Sequence, residues 1–218
     1  MGNDLRRIVI ATGNPHKVAE LREMLSLPGV EFVGLRDLSG EFVEPAESGT
    51  TFEENAAIKA ISYAGQTGLP CLADDSGLEV DALHGAPGVI SSHYSTAGRE
   101  TGVGRAERDA ANNQHLLNAL RGADPEHRTA RFVCVMALAE PHGSLLAAVR
   151  GTFEGRIGLP SSVPRGANGF GYDPLFLVAP DFTHTSAELP APEKNRLSHR
   201  GAAARAMLRE LAHLLHAD

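Results

Sequence analysis

Apolar residues in this chain fall into short runs, and their spacing predicts alternating strands and helices. Ile8 to Ala11 is an apolar run that stops at Thr12-Gly13-Asn14-Pro15, so it reads as a strand followed by a turn. Asn14 is placed to cap a helix with Pro15 at its first position, and Val18, Leu21, Met24 and Leu25 follow at helical spacing. Val30 to Leu35 reads as a second strand, and residues 39–50 as a loop. Thr51 and Glu54 then form a capping box for a helix that runs to about Gly65. Pro70 to Ala73 reads as a short buried strand ending at Asp74-Asp75-Ser76-Gly77, and Leu83 to Gly88 as irregular chain. A helix from about Arg105 to Leu120 carries Leu116, Leu117 and Leu120 as its apolar stripe.

The second half is richer in strands. Arg128 to Ala139 and Ser144 to Ile157 flank Pro141-His142-Gly143 and predict a long hairpin. In the first of these, Phe132, Cys134, Met136 and Leu138 alternate with Arg131, Val133, Val135 and Ala137. A strand apolar on both sides belongs in the middle of a sheet. A Gly-rich loop, Gly166 to Gly171, precedes a short strand, Leu175 to Val178. The segment from about Ser198 to His216 reads as a last helix, with Leu208, Leu211, Leu214 and Leu215 toward the core. The expected fold class is α/β, a mixed sheet with flanking helices, and no linker in residues 1–218 separates independent domains.

Charge and cysteine usage narrow the function. The formal net charge is −7, so no global basic field draws nucleic acid, and an anionic substrate must be held by a few local cations and backbone N–H groups. No run approaches the ~18–20 apolar residues of a membrane span, and MGNDLRRIVIATGN reads as a first strand and not as a signal peptide. Cys71 and Cys134 both sit in strand-like runs, as buried free thiols of a reducing, cytoplasmic compartment. His213 and His216 are three apart on the last helix with no third ligand, and read as surface.

Four segments carry more polar and glycine residues than a fold alone needs. Thr12-Gly13-Asn14-Pro15-His16-Lys17 lies where a strand meets a helix N-terminus, and a lysine in that first turn opposes the helix dipole unless an anion sits there. Asp74-Asp75-Ser76-Gly77 offers two carboxylates suited to Mg²⁺, with Glu44, Glu47, Glu53 and Glu54 as sources of a second acidic ligand. Gly166-Ala167-Asn168-Gly169-Phe170-Gly171-Tyr172-Asp173 can bring backbone close to a ligand while an aromatic ring stacks on a base. Its glycines are in the wrong order for a dinucleotide fingerprint, and it has no Walker lysine. Lys194 with Ser198-His199-Arg200 supplies cations for phosphate or for a base carbonyl. On residues alone, each segment also reads plainly: a capped turn, an Asp-Ser-Gly turn, a hairpin loop and a solvated basic turn. GxSxG, HExxH and CxxC patterns are absent, which removes support for serine hydrolase, zinc protease and thioredoxin chemistry.

Taken in order, ATGNPHK, TFEENAAIKA, LADDSGLEVDALHGAPGVISSHYS, ARFVCVMALA, GANGFGYDPLF and EKNRLSHRGAA resemble the Ham1-like inosine triphosphate pyrophosphatase family, known in bacteria as dITP/XTP pyrophosphatases. The resemblance runs from Ile8 to about Leu208. It implies an elongated mixed sheet in two lobes that are not independent domains, a substrate cleft between them, and a homodimer. The implied reaction is Mg²⁺-dependent cleavage of the non-standard purine triphosphates dITP, ITP and XTP to monophosphate and pyrophosphate.

The roles it implies follow the motifs. Thr12, Gly13, Asn14 and Lys17 would contact the triphosphate, and Lys59 would be its second cation. Asp75 would be metal ligand and general base, with Glu47 as a second metal carboxylate and Ser76 as a substrate contact. Many members carry two acids before the Ser/Thr-Gly, and here Ala46 stands beside Glu47. Phe170, Gly171, Tyr172 and Asp173 would hold base and sugar, Phe170 by stacking. Lys194, His199 and Arg200 would complete the base pocket, and donors there would favour a 6-keto over a 6-amino purine. A Maf-like pyrophosphatase and a non-catalytic nucleotide-binding protein are the two other readings.

Overall fold

The computed structural model describes residues 6–216, apart from the side chains of Pro15, His16 and His216. Met1 to Leu5 of the opening segment, and the side chain of the His213–His216 pair's second member, lie outside the described residues. The elements are β1 (Arg6–Ile10), α1 (Pro15–Met24), β2 (Val30–Gly34), α2 (Phe52–Thr67), β3 (Cys71–Val80), β4 (Pro87–Gly88) and α3 (Arg105–Ala119). After these come β5 (Thr129–Ala139), β6 (Leu145–Ile157), β7 (Phe176–Val178), α4 (Ala191–Leu197) and α5 (His199–His216). The strands follow the order β2-β1-β3-β5-β6-β7, with β4 added to β3. β1 runs parallel to β2 and β3, while β3–β4 and β6–β7 are antiparallel, so the sheet is mixed as expected.

The chain divides into two compact units. Among the described residues, one holds those up to Asp75 with Cys134–Gly151 and those from Arg200 on; the other holds Ser76–Val133 and Thr152–His199. In the first unit, α1 contributes Leu21, Leu25 follows just past its end, and α5 contributes Ala203, Met207 and Leu211. These pack with Ile8, Ile10 and Leu72 and with Cys134, Met136 and Leu138 of β5. In the second unit, Leu116 and Leu120 pack with Leu78, Val80, Phe132, Phe153 and Phe176. Of the leucines expected to face the core from the last helix, Leu211 is buried and Leu208 and Leu214 pack at the margin. Both cysteines are free and buried. Among the described residues no helix is long and apolar enough to cross a membrane.

Local signals place the helices well. Thr51 caps α2 by accepting the Glu54 N–H at 3.1 Å, and Glu54 returns a bond to the Thr51 N–H at 3.3 Å. The helix outlasts its expected end at Gly65 and stops at Gly68, whose φ of 68° is the left-handed stop that glycine adopts without strain.

Two expectations need correction. Asp74-Asp75-Ser76-Gly77 does not end a strand: β3 continues to Val80, because Leu78 and Val80 beyond it are buried in the second core. Lys194 does not sit in a turn at the start of the last helix, since Ala191–Leu197 form a short helix of their own, α4, with Pro190 as its N-cap.

Candidate active site

Pairing and pleat together build the first group. β1 pairs with β3 only through Val9↔Cys71 and Ile10↔Leu72, and the Ala11 N–H closes the run on the Leu72 carbonyl at 2.8 Å. The chain then leaves β3 at Thr12, whose Oγ1 accepts the Asn14 N–H at 3.3 Å, and α1 begins. Lys17, in the first turn of α1, donates to both Asp74 oxygens at 3.1 and 2.9 Å. Asp74 is the anion that a lysine at a helix N-terminus requires.

Successive side chains of a strand point to opposite faces. Asp74 therefore shares a face with Leu72, where α1 and α5 pack, and Asp75 faces the other way. Asp74 meets Lys17 of α1 and, at 3.9 Å, the Arg200 Nε of α5; Arg200 Nη1 also donates to Glu20 at 2.7 Å. Asp75 meets α2, where Lys59 Nζ donates to its Oδ1 at 2.9 Å and to Glu47 at 3.1 Å. The two adjacent carboxylates thus have separate hydrogen-bond partners, Lys17 for Asp74 and Lys59 for Asp75.

The group carries four carboxylates (Glu20, Glu47, Asp74, Asp75) against three cations (Lys17, Lys59, Arg200). Burial alone would raise the Asp74 pKa, but Lys17, Arg200 and Lys59 overcome it and hold the carboxyl well below the usual range. Asp75 goes the other way. Burial pushes its carboxyl up to about 6 against the pull of Lys59, and Glu47 and Asp74 add repulsion. Burial lowers the Lys59 pKa, yet the carboxylates of Asp75, Asp74 and Glu47 more than reverse it, so the ammonium stays charged. Asp75 Oδ2 is buried without a hydrogen-bond partner among the described residues. An unpaired buried carboxylate oxygen, within a surplus of negative charge, suits a hard divalent cation.

The second unit holds the other group. Asp173 is buried; its Oδ1 accepts from Ser186 Oγ at 2.7 Å, and its Oδ2 accepts from Lys194 Nζ at 2.6 Å and from the Phe170 N–H at 2.8 Å. Gly169 has φ +81°, where other residues are strained, and a Cβ there would press on the Asp173 carboxylate and the Lys194 ammonium. Phe170 presents its ring at 45% exposure. Tyr172 does not present its ring: the side chain is buried and its hydroxyl donates to the Ser91 carbonyl at 2.7 Å, so any ligand contact from Tyr172 must come through backbone. The His199 ring stacks on Phe132 at 5.2 Å.

Of the residues expected from sequence, the structure thus groups Lys17, Lys59, Asp75 and Glu47 in the first unit, and Phe170, Asp173 and Lys194 in the second. Thr12 shapes the turn before α1, Gly13 is exposed, and Ser76 directly follows Asp75 in β3. Arg200, expected beside the base, has its guanidinium on Glu20 and Asp74 instead. Sequence reasoning missed Glu20 and Ser186 as partners, and left Asp74 without a role apart from Asp75. It also missed Arg105, Asp109 and Asn113 of α3, whose four-residue spacing along one helix face was a legible signal.

Comparison with known proteins places the chain in a family. Residues 8–210 match the model of the Ham1 family. A protein of Exiguobacterium sp. (strain AT1b) named dITP/XTP pyrophosphatase is 50% identical over 94% of this chain and 96% of its own length. One of the same name from Frankia alni is 51% identical over 96% of both. The structure of a HAM1 protein from Coxiella burnetii superposes with a TM-score of 0.80 at 43% identity, covering 96% of this chain and all of that one.

Proposed function

The chain belongs to the Ham1 family, and on that premise we propose that it hydrolyses the non-standard purine triphosphates dITP, ITP and XTP to monophosphate and pyrophosphate. The observation that carries the chemistry is Asp75, held at one oxygen by Lys59 and unpaired at the other. The first unit supplies the phosphate chemistry. Lys17 and Lys59, both now on carboxylates, would turn toward the phosphates and stabilise the charge that builds on pyrophosphate as it leaves.

Mg²⁺ fits the unpaired Asp75 Oδ2 and the surplus of acids, with Glu47 as second carboxylate; bound there, it would offset charge on the phosphate oxygens. Water attacks the α-phosphorus, the bond from that phosphorus to the bridging oxygen breaks, and the water's proton passes to the Asp75 carboxylate. Burial raises the affinity of this carboxylate for a proton, which suits it to the acceptor's role.

Base recognition falls to the second unit. The exposed Phe170 ring offers a stacking surface. Lys194 gives one N–H to Asp173, and an ammonium carries three, so it can also donate to a 6-keto oxygen. The 6-amino group of adenine would place donor against donor. The family resemblance further supports a homodimer, checked by sedimentation velocity, and the two free buried thiols suit the cytoplasm.

The test is product analysis with dITP, XTP, dGTP and dATP separately, with Mg²⁺ and after chelation. Monophosphate and pyrophosphate from dITP and XTP, little from dGTP and dATP, and loss of turnover on chelation are expected. Diphosphate with inorganic phosphate would move the attack to the γ-phosphorus and overturn the mechanism.

A further inference from the structure

Phe170 lies between Gly169 and Gly171, both at positive φ (+81° and +61°), so the backbone that carries the ring has wide freedom of its own. Something outside the loop must fix it. Asp173 holds the Phe170 N–H from within. The rest comes from α3: Asp109 Oδ2 accepts the Gly171 N–H at 2.9 Å, and Asn113 Nδ2 donates to the Gly171 carbonyl at 3.0 Å. One peptide residue is gripped at both its polar atoms by side chains one helical turn apart. One turn earlier, Arg105 places its guanidinium carbon 4.6 Å from the centre of the Phe170 ring.

Arg105, Asp109 and Asn113 thus lie along one side of α3, and the same side continues into the core through Leu116. Asn113 Oδ1 is buried with no partner among the described residues. What the residue does is hold Gly171.

We infer that α3 is the rigid support of the base-stacking loop: Asp109 and Asn113 clamp Gly171, Arg105 covers one face of Phe170, and the three set affinity for the purine base without touching the phosphate chemistry. The inference rests on the reading of Phe170 as the stacking ring. A loop fixed before the ligand arrives loses less freedom on binding. A guanidinium over one face of the ring also holds Phe170 in place and leaves its other face for a purine.

The experiment compares wild type with Asn113→Ala, Asp109→Ala and Arg105→Ala in dITP kinetics, and measures inorganic pyrophosphate as a product inhibitor. KM for dITP should rise ~3–10-fold for Asn113→Ala and Asp109→Ala and ~2–4-fold for Arg105→Ala. The kcat values and the pyrophosphate inhibition constant should stay within about 2-fold. Asp109→Asn, which keeps an acceptor, should recover most of the loss. KM and pyrophosphate inhibition weakening together would mean general loosening, and would overturn the inference. An unchanged KM in an active, folded variant would overturn it alone, leaving the function intact. Absence of dITP turnover in the wild type would overturn both.

Discussion

Two lysine–carboxylate pairs of similar length do different work in the two units. Lys59 lies 2.9 Å from Asp75 and Lys194 lies 2.6 Å from Asp173, and both aspartates are buried. Asp173 has a partner at both oxygens: Ser186 at one, Lys194 and the Phe170 N–H at the other. Asp75 has one oxygen on Lys59 and one buried and unpaired, with more acid than base around it. A carboxylate bonded at both oxygens is a fixture that holds a loop. One left short, with its pKa raised by burial, is a group prepared for a cation or a proton. The residue types are the same, and what differs is how far each is satisfied.

The largest expected effect breaks the comparison on the Asp75 side. Asp75→Asn keeps the shape and a partner for Lys59 but removes the charge and the proton acceptor. Turnover of dITP should fall by ~10³-fold or more, while equilibrium binding of the nucleotide persists. A variant with near-normal kcat would take Asp75 out of the chemistry and leave it a fixture like Asp173.

Lys17→Ala comes next. The lysine is held by Asp74, so its removal also leaves that buried carboxylate short of its nearest cation. KM for dITP should rise ~10–100-fold, and the inhibition constant for the monophosphate product should move far less. Equal changes in both would place Lys17 away from the β- and γ-phosphates.

Asp173→Ala tests the opposite side. It leaves Ser186, Lys194 and the Phe170 N–H without their shared acceptor, which should cost about 2–4 kcal/mol of stability in denaturant unfolding. KM should rise with kcat little changed. If kcat collapses in a folded protein, Asp173 takes part in the reaction and the contrast with Asp75 is lost.

Signals carried within a few residues were legible in the sequence, and those that depend on the pleat or on distant chain were not. The Thr51–Glu54 box, the turn at Thr12–Asn14 and the central apolar strand all appear where local pattern predicts them. Asp74-Asp75-Ser76-Gly77 looks like a turn because four polar or small residues interrupt the apolar run. In the folded chain it is mid-strand, and alternation sends Asp74 to α1 and α5 and Asp75 to α2. Arg200 lies one residue from His199 in sequence, yet its partners, Glu20 and Asp74, are far away along the chain. The four-residue spacing on α3 was legible, but not what it holds, since Gly171 is 58 residues beyond Asn113.

The smallest expected effect separates the scaffold from the site on one helix. α2 carries Lys59, but its first turn is secured by Thr51, which is exposed and accepts the Glu54 N–H at 3.1 Å. Thr51→Ala removes that cap and leaves an orphan N–H that water can reach, so the melting temperature should fall by ~2–4 °C. Lys59 is held at its far end by Asp75 and Glu47 and not by the cap, so kcat and KM for dITP should stay within about 2-fold of wild type. A matching drop in kcat would show that the ammonium's position depends on the helix start. The unpaired oxygen of Asp75 would then owe its state to the whole of α2, and not only to the lysine that touches its neighbour.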